Sequence, residues 1–252
     1  MKFRVLIILA LIQLQSCVSK KDVLYLQDAN TIDASAVSFS ETRIQANDIL
    51  KINIGSLVPE AAVPYNKVSS GMVQATSIDI MKLEGYVVSQ EQSIQLPILG
   101  VISVANKTTD QLAAHIKTLL EEGGHLSNPT VDIRLLNAKF TVLGEVNSPG
   151  TFNYTETNIN LLQALGYAGD LSINGKRDDV LVIRELDGTR KISHINLNSS
   201  AWLTSDAYQI KPNDVIIVNP NTRVIKGSGV VDTGTFLALA SLTLSVIILL
   251  TR

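Results

Sequence analysis

Phe140-Thr141-Val142-Leu143-Gly144-Glu145-Val146-Asn147-Ser148-Pro149-Gly150-Thr151-Phe152-Asn153-Tyr154 reads as a strand, a tight turn and a partner strand. The turn Asn-Ser-Pro-Gly is made of residues that tight turns need: Pro presets φ, Gly tolerates positive φ, and Asn and Ser bond to nearby backbone. Downstream, Asn158 is placed to cap a helix carrying Ile159, Leu161, Leu162 and Leu165, which ends near Gly166-Tyr167-Ala168-Gly169. A strand over 179–184, an Asp187-Gly188 hairpin turn and a strand over 191–197 follow. Residues 203–208 read as a short turn region, and Ile210-Lys211-Pro212-Asn213-Asp214-Val215-Ile216-Ile217-Val218 closes the unit. The whole, residues 138–219, is predicted to be a small α+β domain whose sheet curls around one helix.

Upstream lies a unit of the same kind, over 42–137. Asn47-Asp48 turns into a strand that alternates from Ile49 to Ile54, the period of a half-buried strand. A polar stretch punctuated by Gly and Pro covers 55–77, and short strands are expected at 85–88 and 93–100. Thr108-Thr109-Asp110 opens a helix that runs to about Glu122, with Leu112, Ala113, Ile116, Leu119 and Leu120 on one face. Thr108 or Thr109 supplies the capping oxygen, and Gly123-Gly124 ends the helix. Asn128-Pro129 then turns into a strand over 130–136, with Val131, Ile133 and Leu135 pointing one way.

The two ends of the chain carry a different signal. Lys2 and Arg4 precede an apolar run over 5–11 that is too short to span a bilayer, the layout of a secretory signal over 1–16. It leads into Leu14-Gln15-Ser16-Cys17, where Cys17 is the only cysteine, so no disulfide can form within one chain. A small residue before a lone Cys at the end of an apolar segment reads as a lipoprotein cleavage site, with the Cys17 thiol acylated. Acyl chains contribute roughly 0.8 kcal/mol per buried methylene, so such a terminus is a firm anchor. Val18-Ser19 follows with no Asp beside the cysteine, in keeping with transfer to the outer membrane, and 17–41 reads as a lipidated tether with some strand character at 23–26. At the other end, 220–233 reads as a hinge and 234–250 contains no charged residue. Seventeen helical residues rise roughly 26 Å, enough for a thin bilayer. A transmembrane helix is therefore expected there. A lipidated protein does not need a second anchor to stay attached, which suggests that this helix helps to form an oligomeric passage.

Composition narrows the function classes. The 252 residues carry a net charge of −2, which argues against a nucleic-acid surface and its basic face. Aromatic residues are 5% of the chain, too few to advertise a stacking cleft for sugars. His115, His125 and His194 lack paired spacing and no cysteines cluster, so neither a metal site nor a cofactor is expected. Ser148 has no nucleophile-elbow context and reads as a turn residue. Glu121-Glu122 and Asp178-Asp179 read as a solvated helix end and a turn rather than a glycosidase pair, and Gly144, Gly150, Gly166 and Gly169 lack phosphate-loop spacing. No catalytic set is expected.

Asp48-Ile49-Leu50, Leu96-Pro97-Ile98-Leu99-Gly100, the helix over 108–122 and Asn128-Pro129-Thr130-Val131, in that order, resemble the polysaccharide export domain. Leu143-Gly144-Glu145-Val146-Asn147-Ser148-Pro149-Gly150, then 161–169 and Lys211-Pro212-Asn213-Asp214-Val215, resemble a soluble-ligand-binding β-grasp domain. With the lipobox and the terminal apolar segment, the chain resembles the Wza-like outer-membrane polysaccharide export family over nearly its full length. That resemblance implies a ring of identical subunits, commonly eight, with its body in the periplasm and an α-helical barrel of C-terminal helices across the outer membrane. It also implies export of capsular polysaccharide or exopolysaccharide and an inner-membrane copolymerase or tyrosine kinase as partner. Well-known members have two or more β-grasp domains where this chain has one, so a shorter body is expected.

At about 100° per residue, Ala238, Ser241 and Ser245 fall within roughly 60° of one another, with Thr235 at the margin. This small, weakly polar stripe is a candidate for pore lining or close helix packing. Helices satisfy their own backbone against lipid, so a ring of them is a permissible wall. The alternative from another class is a periplasmic glycan-binding or scaffold lipoprotein in which the terminal helix is only a second anchor.

Overall fold

The computed structural model describes residues 24–29, 41–67, 78–186 and 188–221, with Leu237, Ala238, Ala240, Ser241 and Ser245. It is a mixed α+β architecture built around two hydrophobic cores.

The first core gathers around β1 (Ile49–Gly55), the centre of a three-stranded antiparallel sheet between β2 (Tyr86–Val87) and β5 (Thr130–Leu135). Along β1, Leu50, Ile52 and Ile54 are buried and alternate with Lys51 and Asn53 at the surface, as the period of two requires. Ile133 faces them from β5, while Val131 and Leu135 pack at the margin of the same core. A second hairpin, β3 (Ser93–Leu96) with β4 (Gly100–Ser103), adds Ile94, Leu96 and Ile102. Within 55–77, which the sequence shows as a polar stretch punctuated by Gly and Pro, the backbone forms α1 (Pro59–Ala62) and a 3-10 turn (Val63–Tyr65), and α2 (Ile78–Glu84) follows. Elements of one or two turns are too short to display a helical period.

The helix α3 (Thr109–Glu122) covers this core with Leu112, Ile116 and Leu120, each fully buried. Thr108 is its cap: the hydroxyl accepts the Gln111 N–H at 3.2 Å, and the Gln111 side-chain oxygen accepts the Thr108 N–H at 3.1 Å. This reciprocal pair satisfies two amides that the first turn would otherwise leave unbonded. At the far end Gly124 takes φ +67 and the chain turns back, so Leu126 N–H reaches the Leu120 carbonyl at 3.1 Å.

The second core lies under a five-stranded mixed sheet of order β10-β9-β12-β6-β7. Its strands are β6 (Lys139–Gly144), β7 (Gly150–Asn153), β9 (Gly175–Leu186), β10 (Thr189–Ile195) and β12 (Val215–Pro220). β12 lies parallel to β6 and antiparallel to β9. The β9–β10 hairpin sets Leu186 opposite Thr189, with Gly188 at φ +73. β9 is twice the expected length and includes Asp178 and Asp179, which therefore sit on a strand and not in a turn.

The helix of this domain is α4 (Leu161–Tyr167), and its cap is Asn160, not Asn158. Ile159 and Asn160 form the short strand β8, paired with β11 (Gln209–Ile210), so the chain is still extended at Asn158 and helix entry waits two residues. Asn160 and Gln163 repeat the reciprocal cap seen at Thr108, with bonds of 2.9 and 2.8 Å. Residues Ala201–Thr204 form a 3-10 turn that buries Trp202.

Four of the chain's few aromatic side chains meet at this core. Phe140 is fully buried, with ring centroids 5.6 Å from Phe152, 5.9 Å from Tyr154 and 5.6 Å from Tyr167. Leu135 touches both cores, so the end of β5 joins the two domains.

One glycine has a strict reason. Gly144 takes φ +91 where β6 meets β12, and a Cβ there would be driven into the Val218 carbonyl oxygen. Both the backbone conformation and the close strand approach exclude a side chain. We expect Gly144→Ala to destabilise the protein by about 2–4 kcal/mol, read as a lower urea midpoint. By contrast Gly166, with open space around its Cβ position and on a helix, should accept Ala with little change.

Candidate functional site

Two turns of the same construction dominate the region between the cores. In Gln45-Ala46-Asn47-Asp48, the Asp48 Oδ2 accepts the Gln45 N–H at 2.8 Å and the Asp48 N–H donates to the Gln45 carbonyl at 3.2 Å. In Lys211-Pro212-Asn213-Asp214, Asp214 Oδ2 accepts the Lys211 N–H at 2.8 Å and the Asp214 N–H donates to the Lys211 carbonyl at 3.2 Å. Asn47 and Asn213 both take φ 68, a left-handed conformation that Asn tolerates. Each turn launches a central strand, β1 or β12.

The surroundings of the two carboxylates differ. Asp214 is 1% exposed and paired in a fork with Arg184: Nε to Oδ1 at 2.9 Å and Nη2 to Oδ2 at 2.7 Å. The same guanidinium donates to the carbonyls of Gln209 at 2.7 Å and Asp206 at 3.1 Å, so one side chain joins β9, β11 and the entry to β12. Asp48, 5% exposed, has no such partner among the described residues, and burial pushes its carboxyl up to about 6 against the pull of the Gln45 amide. Between the turns stands Tyr154, whose hydroxyl is raised by burial first and then by the Asp214 and Asp48 carboxylates.

Asp48 and Tyr154, but not Asp214 or Arg184, line a cleft of about 500 Å³ between the two domains. Asp48 and Arg43 line it from one side, Tyr154, Glu156 and Pro212 from the other, and Asp132 and Arg134 from β5. Its charged lining residues are mostly acidic, Glu41, Asp48, Asp110, Asp132 and Glu156 against Arg43 and Arg134, and sequence reading did not single the cleft out. The signal was the repeated Asn-Asp before an apolar strand, visible at 47–48 and 213–214; that Asp48 lacks a cation depends on which strands come together.

A third arrangement joins the chain's start to the second domain. The Leu26 N–H donates to the Leu197 carbonyl at 3.0 Å and the Gln27 N–H to the Asn198 carbonyl at 2.7 Å. The Tyr25 hydroxyl donates to Asp170, its ring lies 5.5 Å from the Arg177 guanidinium, and Asp28 Oδ2 accepts the Ser200 N–H at 3.1 Å and its hydroxyl at 3.0 Å. Residues 24–29 are thus strapped to the second domain, although the first lies between them in sequence.

The expected lipidation residue Cys17 and stripe residue Thr235 lie outside the described residues, as does most of 234–250. Among the described residues no helix is long and apolar enough to cross a membrane. Ala238, Ser241 and Ser245 are helical and exposed. The Ser241 hydroxyl donates to the Ala238 carbonyl at 2.9 Å and that of Ser245 to the Ser241 carbonyl at 2.8 Å, so both hydroxyls are satisfied by their own helix. The structure does not bring them to the cleft.

The histidines are scattered. His194 Nδ1 lies 2.7 Å from Asp179 Oδ1 on the β9–β10 hairpin, and with Lys176 it holds the Asp179 carboxyl below its ordinary range. His125 meets Tyr65 edge-on at 5.7 Å, and His115 is half-buried on α3. Among the described residues no group of three potential ligands could hold a metal ion. Ser148 is a turn residue, its N–H bonded to the Ala168 carbonyl at 2.8 Å, while Asn147 Nδ2 reaches the Gly169 carbonyl at 2.6 Å. The Asn-Ser-Pro-Gly turn therefore clamps the end of α4.

Comparison with known proteins agrees with this division into two cores. The family described as polysaccharide biosynthesis/export protein matches residues 36–136, and the SLBB domain matches 138–218. The chain belongs to the Wza-like polysaccharide export family. It is similar to the EPS I polysaccharide export outer membrane protein EpsA of Ralstonia solanacearum, 29% identical over 147 residues, which are 56% of this chain and 38% of that protein. The EpsA of Ralstonia nicotianae (strain ATCC BAA-1114 / GMI1000) is 32% identical over 135 residues, 52% of this chain and 35% of that protein. The matched segments thus span little more than a third of these relatives.

The Asp48 environment has a measurable consequence. A carboxyl raised on folding binds more protons in the native than in the unfolded chain between about pH 4 and pH 6, so its contribution to stability falls as pH rises through that window. Asn at this position keeps an acceptor for the Gln45 amide without the charge. The stability difference between Asp48→Asn and wild type should therefore move in favour of the variant from pH 4 to 6 and level off above, in urea unfolding at stepped pH.

Proposed function

We propose that this protein is a subunit of an oligomeric outer-membrane channel that exports capsular polysaccharide or exopolysaccharide. The observation that carries the reading is the ordered pair of family matches, export domain then SLBB domain, over 36–218, joined to similarity with two outer-membrane polysaccharide export proteins. In this reading Cys17 is acylated and holds the chain to the outer membrane, and the body lies in the periplasm. Segments 234–250 of neighbouring copies close into an α-helical barrel. Thr235, Ala238, Ser241 and Ser245 line the pore or pack the helices.

The strap at 24–29 supports this arrangement, because it ties the chain just after the lipidated end to the second domain, which precedes the apolar segment. Lipid anchor and barrel then attach to the same domain, and the export domain is left to meet an inner-membrane copolymerase or tyrosine kinase. A long polymer slides through wide solvent without tight binding, so the work calls for a wall and not for catalytic residues. The two relatives are polysaccharide export outer membrane proteins, in keeping with this.

Truncation after Gly229 separates the channel from a scaffold lipoprotein with a redundant anchor. The channel requires that surface polymer be lost while the truncated protein stays membrane-bound through Cys17; export at the wild-type level would leave only the scaffold. Cys17→Ser should move the full-length protein's precursor out of the acylated pool, read by labelling with a radioactive or clickable fatty acid. A purified full-length protein that is monomeric in mild detergent would refute the channel outright.

A further inference from the structure

The two Asn-Asp turns are alike in backbone bonds and differ in one respect. Asp214 has both carboxylate oxygens engaged by Arg184, whereas Asp48 receives only the Gln45 amide among the described residues. Asp48 is 5% exposed and forms part of the lining of the cleft between the domains. The two arginines of the cleft are engaged elsewhere: Arg43 Nη1 donates to the Asn106 side chain at 3.3 Å, and Arg134 pairs with Asp132 at 3.3 Å. The other charged groups facing the cleft, Glu41, Asp110, Asp132 and Glu156, are acidic. A buried carboxylate is expensive without a countercharge, and an acidic wall raises the local concentration of cations.

We propose that this cleft is a receptor for one guanidinium or ammonium group, which takes at Asp48 the place that Arg184 holds at Asp214. The planar fork of a guanidinium fits a carboxylate whose second oxygen has no hydrogen bond among the described residues, and the hydroxyls of the exposed Thr155 and Thr157 on the cleft lining offer neutral contacts to the stem of such a group. The cation comes either from a basic side chain of a second copy of this chain or from a diffusible amine, and both demand the same carboxylate.

The test uses full-length protein in mild detergent, with L-argininamide as probe and L-citrullinamide as its uncharged counterpart, by titration calorimetry on wild type and Asp48→Asn. Far-UV circular dichroism verifies that the variant is folded, as the retained Gln45 bond leads one to expect. Binding of argininamide that is at least tenfold tighter than citrullinamide, and at least tenfold weaker in Asp48→Asn, establishes a site open to a diffusible cation. Where wild type takes up no argininamide, light scattering decides: self-association at least tenfold weaker in Asp48→Asn means that a second copy already fills the cleft. Argininamide binding equally to both proteins, or no binding together with unchanged self-association, overturns the proposal. None of these outcomes bears on the channel itself, which stands or falls on the truncation and on the oligomer of the unmutated protein.

Discussion

The fork between Arg184 and Asp214 ties β9, β11 and the entry to β12 together through one guanidinium. It sits where β12 begins, and β12 is the strand that pairs with β6 on one side and β9 on the other. Because the guanidinium also donates to the carbonyls of Gln209 and Asp206, removing it would leave Asp214 as a buried charge without its cation and would cut the link between β9, β11 and β12. Breaking one partner of such a buried pair typically costs about 3–5 kcal/mol, although the pair as a whole adds little over an apolar replacement.

The same turn without the arginine gives the first domain a different character. The Asp48 turn still launches β1, because the backbone bonds and the left-handed Asn47 do that work locally. Among the described residues no cation pairs with Asp48, which leaves a titrating group at the seam between the two cores. The strap at 24–29 adds a second link across sequence distance, bringing the start of the described chain onto the domain that follows the export domain.

Repetition by local rule explains what could be read early. The capping box at Thr108 and Gln111 is spelled by spacing alone, and the alternation from Ile49 to Ile54 follows from burial of one face. The hairpin at 187–188 likewise needed only a Gly beside a polar residue between two β-branched runs. The start of α4 was misplaced by two residues because Ile159-Asn160 pairs with Gln209-Ile210, a contact fifty residues away in the chain, and no local pattern announces it. Asp178 and Asp179 were likewise taken from a turn into β9 by the pull of β10 and β12 on either side.

By itself, the sequence determined two α+β units, their order, the caps and turns that bound their helices, and an expectation of acylation and an apolar end. These depend on periods and short-range bonds, which a linear reading contains. Only the tertiary structure decided that one Asn-Asp turn is neutralised and the other is not, that Gly144 must lack a side chain, and that residues 24–29 lie on the second domain. Each of those depends on groups far apart in the chain being pressed to within a few ångströms, and distance in space is set by packing, not by spacing.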